Sequence, residues 1–334
     1  MDNLDKKHYY SRSEYSSLKN GESESLPTFG EILEVSPKHV QIDKTRNNSY
    51  FKPTLYNRTK SSIISLNNKI YIVGGKNGKT FLASCEKYDP ITGNWSQIAP
   101  LNIPRSNILL TVNEEKIYAI SGDQENKKFN VCEVYCHVEN TWKVLGSLNR
   151  PRLAAAAVSY FGSVWVLGGS YNLEIYDQIE VLEISSSEKE EKEDSATWKT
   201  CPIKLNRKRC RHCAIVYNEK LFIIGGYDGK SFLDNFEVFN QKTKQFTEII
   251  KITLKVPRSR LSCCISSNRI YIFGGFDHKG NALKSSEFYE EGCDLGRGVG
   301  GGFLSGASGE GWVSGPELQL SRGYMSVASL YVSN

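Results

Sequence analysis

Five times along this chain an aromatic residue stands three positions before a Gly-Gly or Ser-Gly pair, and a glutamate follows at a nearly constant distance. The aromatics are Tyr71, Tyr118, Trp165, Phe222 and Tyr271. The pairs are Gly74-Gly75, Ser121-Gly122, Gly168-Gly169, Gly225-Gly226 and Gly274-Gly275, and the glutamates are Glu86, Glu133, Glu180, Glu237 and Glu287. Successive copies begin about 47 to 57 residues apart, the period of a propeller blade. A repeat of this kind fixes the architecture before any catalytic motif is considered, and it moves the question of function onto loops.

Each glycine pair ends a short run rich in Ile, Val, Tyr and Phe: Lys69 to Val73, Lys116 to Ile120, Ser163 to Leu167, Lys220 to Ile224 and Arg269 to Phe273. Runs this short, stopped by Gly, read as buried strands rather than helices. A second strand carries the glutamate and an aromatic such as Tyr88, Tyr135 or Phe239. Trp95, Trp142 and Phe246 stand seven residues beyond those aromatics, whereas Trp198 and Trp312 are delayed by insertions. Large aromatics on adjacent strands are suited to packing one blade against the next. Upstream, Arg58, Arg105, Arg152, Arg209 and Arg258 each lie sixteen residues before their pair, and Arg322 follows Trp312 by ten residues as Arg105 follows Trp95. After each arginine comes a strand of small residues, such as Ala154 to Val158 or Ser262 to Ile265, which fits the crowded axis where blades converge.

The order of arginine, small-residue strand, Gly-Gly, Glu-x-Tyr-Asp and Trp resembles the kelch repeat over about 275 of the 334 residues. That resemblance implies an all-β fold, a β-propeller of four-stranded antiparallel blades. Six arginine-led inner strands but five complete sets of the others predict six blades, one of them degenerate and closed by the termini. Glu31 to Glu34, with Val40, supplies the missing outer strands, since it resembles Glu180 to Glu183. The alternative is a truncated ring. Residues 30–334 are expected to form the propeller and residues 1–29 a polar, disordered tail. The insertions 185–196 and 292–311 are expected on the face opposite the ligand loops.

Composition narrows the function. Apolar runs of four to six residues cannot span a bilayer, and the first thirty residues hold no apolar core of a secretory signal. Nine cysteines without paired spacing point to a reducing compartment, with the cytoplasm as the expected location. A net charge of +5 is too mild to imply nucleic acid. The sequons at Asn47, Asn57 and Asn94 read as chance matches. Cys210 and Cys213 have the spacing of half a zinc site without a second half, so they read as core thiols. Gly296-x-Gly298-x-x-Gly301 lacks the strand and helix a dinucleotide fingerprint needs. Five dispersed histidines suggest no catalytic constellation. No cofactor or metal is expected, and the chain reads as non-catalytic.

Strand order within a blade puts the turn after each glycine pair and the arginine-bearing connection on one face. The candidate partner-binding residues there are Arg105, Arg150, Arg152, Arg207, Arg209, Arg211, Arg258, Arg260 and Arg322, with the aromatics Tyr171, Tyr227 and Phe276. Guanidinium forks grip carboxylates and phosphates, so an acidic or phosphorylated peptide segment is the expected ligand. The repeat arginines have a second reading: glutamates or carbonyls could hold them as architecture. Arg150, Arg207, Arg211 and Arg260 stand outside the repeat register and are the stronger candidates. The chain is similar to kelch-like adaptors, which join substrates to cullin-based ubiquitin ligases. That resemblance implies the same ligand face, with arginines contacting acidic motifs. Those adaptors bind the ligase through an N-terminal BTB domain, and the 57 polar residues before Arg58 do not resemble one. The expectation is therefore the substrate-reading half alone. An actin-associated or other cytoskeletal scaffold, and a propeller enzyme, are the alternatives.

Overall fold

The computed structural model describes residues 32–35, 40–42, 53–183, 197–249, 252–290, 312–318, 320–322 and 326–329. The expected tail 1–29 and the insertions 185–196 and 292–311 lie outside the described residues. All regular structure in the described residues is β, and none of it is a helix long and apolar enough to cross a membrane.

Five four-stranded antiparallel sheets follow one another along the chain. Counted from the axis outward, blade I is Ser62–Leu66, Lys69–Val73, Cys85–Asp89 and Asn94–Ile98. Blade II is Leu109–Asn113, Lys116–Gln124, Lys127–Cys136 and Thr141–Ser147. Blade III is Ala156–Tyr160, Ser163–Leu167, Gln178–Leu182 and Trp198–Lys204. Blade IV is Cys213–Tyr217, Lys220–Ile224, Phe236–Asn240 and Gln245–Ile249. Blade V is Ser262–Ser266, Arg269–Phe273, Ser286–Glu290 and Val313–Ser314.

A sixth, three-stranded sheet joins the two ends of the chain. Ile32–Val35 pairs antiparallel with Val40–Ile42 on one side and with Ser326–Ser329 on the other. The structure thus has five four-stranded blades where six were expected, and a three-stranded sheet formed by residues upstream of Arg58 and the C-terminal strand stands in the sixth place. Another detail differs. Ile32–Val35 lies directly against the inner strand, the place that the glycine-pair strand holds in other blades, not the glutamate-strand place its likeness to Glu180 to Glu183 suggested. The six inner strands form a closed ring, in which Ser326–Ser329 neighbours the inner strands of both blade V and blade I.

Packing explains why the second strands read as unbroken apolar runs. Ile70 and Ile72 face one side, with Tyr88, Trp95 and Ala328 of the sixth sheet. Tyr71 and Val73 face the other, against Ile117, Ala119, Tyr135 and Trp142 of blade II. Successive side chains alternate between two cores rather than between core and water, so no polar alternation appears. Each such side chain contributes roughly 1.5–3 kcal/mol by burial. The expected aromatic pairs close these seams: ring centroids are 5.2 Å apart for Tyr88 and Trp95, 5.0 Å for Tyr135 and Trp142, and 5.1 Å for Phe239 and Phe246.

The glycine pair is required by both conformation and space. Gly74 and Gly75 have φ of 60° and 98°, and an added Cβ would lie 2.6 Å from the Arg105 carbonyl oxygen or 2.7 Å from that of Thr59. Ser121 takes the first position in blade II at φ 59°. Its hydroxyl lies 2.8 Å from the Arg152 carbonyl oxygen of the next blade, so the small side chain there becomes an inter-blade hydrogen bond.

Candidate functional site: the arginine-bearing loop face

In every complete blade, the residue after the repeat arginine bridges to the residue after the glycine pair: Thr59 to Lys76, Ser106 to Asp123, Leu153 to Ser170, Cys210 to Tyr227 and Ser259 to Phe276. The arginine connections and the glycine-pair turns therefore do share one face.

The repeat arginines do not present themselves on it. Arg105, Arg209 and Arg258 are 0% exposed and Arg152 is 1% exposed. Each pairs with the glutamate of its own blade: Arg58 with Glu86, Arg105 with Glu133, Arg152 with Glu180 at 2.8 Å, Arg209 with Glu237 at 2.5 Å and Arg258 with Glu287 at 2.6 Å. The same guanidinium groups donate to the carbonyl of the first residue in the glycine pair, at 2.9 Å for Arg152 to Gly168 and Arg209 to Gly225. The second carboxylate oxygen accepts a backbone N–H from the incoming connection, Asn102 to Glu133 at 2.7 Å and Asn149 to Glu180 at 2.7 Å. A buried ion pair is favoured when its remaining hydrogen-bonding capacity is met, and these bonds meet most of it, Arg58 Nε being a buried donor without a partner among the described residues. Burial pulls the pKa of Arg209 and Arg258 down, opposed by Glu237 and Glu287.

Arg105, Arg152, Arg209 and Arg258 thus leave the set of partner-binding candidates, because their donors are spent inside the blade. Arg322 is part-exposed, and its backbone repeats the pattern: its carbonyl accepts from Gly275 at 2.8 Å and its N–H donates to Leu283 at 3.0 Å.

The remaining candidates do reach the surface. Arg150 is half exposed, lies 3.7 Å from Glu174 and sits over the Tyr176 ring at 5.7 Å. Arg207 lies 3.9 Å from Asp228. Arg260 sits over the Phe276 ring at 5.8 Å. Tyr171 is half-buried in a short ribbon, Ser170–Tyr171 paired with Glu174–Ile175. Tyr227 donates its hydroxyl to the Gly229 carbonyl at 2.8 Å and packs against Phe232 at 5.5 Å.

Arg211 and Arg260 prove not to be outside the register. Each stands two residues after its repeat arginine, at the position of Lys60, Asn107 and Ala154 in the other blades, and all five have left-handed backbone: φ is 54°, 54°, 52°, 57° and 56° in chain order. Backbone bonds tie neighbouring positions together: Asn107 N–H to Lys60 carbonyl at 3.0 Å, Arg211 to Ala154 at 2.6 Å and Arg260 to Arg211 at 2.7 Å. These residues encircle a cavity of about 550 Å³ at the axis, which Thr59, Ser62, Ser170 and His212 also line. Sequence reasoning missed Lys60. The signal was its fixed offset from Arg58, in a series whose residue types differ.

His212 occupies the slot that Ile108 fills in blade II and Leu261 in blade V. It lies under Gly168 as Ile108 lies under Gly74 and Leu261 under Gly225. Burial, and then the Arg209 charge, push its pKa down to about 3. Cys210 and Cys213 are buried, and the Cys213 thiol donates to the Leu261 carbonyl at 3.0 Å. Cys85 and Cys132 are likewise buried, with thiol pKa values pushed up to about 12 by burial. Among the described residues no three potential metal ligands converge.

The family model described as Kelch motif matches residues 58–102, 208–249 and 257–287. Kelch domain-containing protein 1 of Homo sapiens is 37% identical over 70 residues, 19% of this chain and 17% of that protein. The matched stretches begin at or one residue before Arg58, Arg209 and Arg258, and blades II and III repeat the same glycine-pair and Arg–Glu frame. The chain is a β-propeller that carries kelch motifs at residues 58–102, 208–249 and 257–287.

Proposed function

We propose that this propeller is a non-catalytic interaction module that holds an acidic or phosphorylated segment of a protein partner over the axial cavity. Kelch propellers bind proteins in general, which supports the coarse part of this reading. The observation that carries the finer part is the ring position shared by Lys60, Arg211 and Arg260. Three of the five residues at that position are cationic, and all of them border the same cavity. Desolvated guanidinium groups at a cavity mouth bind carboxylate or phosphate oxygens bidentately. The resemblance to kelch-like adaptors supports a place as the substrate-reading part of a ubiquitin-ligase adaptor, without cofactor. The eight described cysteines, all free thiols, support a reducing, cytoplasmic setting.

The test is binding of a labelled polyglutamate peptide and of a phosphoserine peptide to the wild-type chain and to Arg211→Glu/Arg260→Glu. Wild-type binding that weakens with salt, and drops at least about tenfold on charge reversal, is expected. Equal binding by both proteins, or no wild-type binding to either peptide, overturns the reading. Co-purification of a cullin from cells tests the adaptor role separately; its absence reduces the role to partner capture. Co-sedimentation with filamentous actin would transfer the reading to a scaffold.

A further inference from the structure

The cations are not spread evenly around the cavity. Blades IV, V and I contribute Arg211, Arg260 and Lys60, whereas blades II and III contribute Asn107 and Ala154. In blade II the acid and base cancel locally: Asp123 accepts from Ser106 at 2.6 Å and Asn107 at 3.0 Å, and lies 3.4 Å from the Lys128 ammonium. In blade III, Arg150 is matched by Glu174.

The seam between blades III and IV carries a different surface. Leu173, at the tip of the blade III ribbon, is 96% exposed. It follows Asn172, and both have positive φ, 47° and 69°. That two-residue turn suits Asn-Gly, and leucine in the left-handed region is disfavoured. Tyr171 pairs with Glu174 and so faces away from Ile175 in the ribbon, whereas part-exposed Ile175 reaches toward Gly229 of blade IV, whose turn presents Tyr227 and Phe232. A ridge of apolar side chains from two blades therefore borders the cationic arc at the blade that carries Arg211.

We infer that the bound segment is bipartite: acidic residues lie over Arg211, Arg260 and Lys60, and a bulky apolar side chain packs on the ridge formed by Leu173, Ile175, Tyr227 and Phe232. This rests on the acidic-segment reading above and adds the apolar anchor and its place. Charge complementarity sets the acidic part over one arc, and the neutral half of the ring leaves the ridge to an uncharged group.

Leu173→Gly tests the ridge without threatening the fold, because glycine suits the turn and the side chain has no burial to lose. Selection of short random peptides on the intact wild-type chain should enrich sequences that combine Asp or Glu with a nearby Leu, Ile, Phe or Trp. The same selection on Leu173→Gly should keep the acids and lose the apolar preference. For a wild-type-selected peptide, Leu173→Gly should weaken binding about tenfold while raising the melting temperature. The version of that peptide with serine in place of its apolar residue should bind both proteins alike. An unchanged apolar preference and unchanged affinity in Leu173→Gly overturn the inference. Acidic sequences selected without any apolar preference by the wild type overturn it too, leaving the acidic-segment reading intact. A selection without acidic residues overturns both.

Discussion

His212 is an imidazole in a slot that blades II and V fill with Ile108 and Leu261, and replacing it with leucine should change how stability depends on pH. In the folded chain its pKa is pulled down to about 3, against an ordinary value of 6.5. The unfolded chain therefore binds the extra proton over the interval between those values, and stability falls as pH drops through it. Between about pH 7.5 and about pH 5 this one group removes about 2 kcal/mol, from the ratio of proton binding in the two states. Leucine at that position has no proton to bind, and Leu261 shows that the slot accepts its shape. The assay is urea unfolding of the wild-type chain and His212→Leu at both pH values, read as the difference of differences so that other titrating groups cancel. The variant should lose about 2 kcal/mol less than the wild type on acidification. An identical pH slope in the two proteins would refute the reasoning, since it would mean that His212 ionises as easily folded as unfolded.

Two further outcomes follow from burial. Glu133→Gln should destabilise by about 3–5 kcal/mol in urea unfolding, because it leaves Arg105 buried without its counter-charge, whereas Glu183→Gln, whose pair with Lys199 is 61% exposed on each side, should cost under about 1 kcal/mol. In the native chain at mildly alkaline pH, alkylation followed by mass spectrometry should label half-buried Cys136 and Cys201 well before Cys85 and Cys132, whose thiols are both inaccessible and held protonated; equal labelling would contradict the packing.

The blades were legible because their signals are local and strong. A run such as Ile70 to Val73, buried on both faces and stopped by two glycines of positive φ, leaves little choice but a central strand. The role of the repeat arginines was harder to read. Their separation from the glutamates is 28 residues in four blades, yet spacing alone does not say whether two side chains meet inside a blade or turn outward. The ring position was less legible still. Lys60, Asn107, Ala154, Arg211 and Arg260 share a left-handed backbone and no chemistry, so their equivalence is a property of the fold. The place of Ile32–Val35 was misjudged for a related reason: a four-residue strand carries too little pattern to fix its neighbour.

The closure by the termini also sets how the ring responds to mechanical load. Ile32 pairs with Ser329 and Val35 with Ser326, so tension applied to the two ends of the chain enters the ladder at the same edge. Bonds loaded in this way give way one after another, like a zip, instead of sharing the force as they would in shear. The first residues to separate would be those that complete the circle, and release of Ser326–Ser329 would uncover the inner flanks of blades I and V. A molecule whose interior is stiffened by buried ion pairs in every complete blade is thus fastened by a catch that yields to a pull from outside.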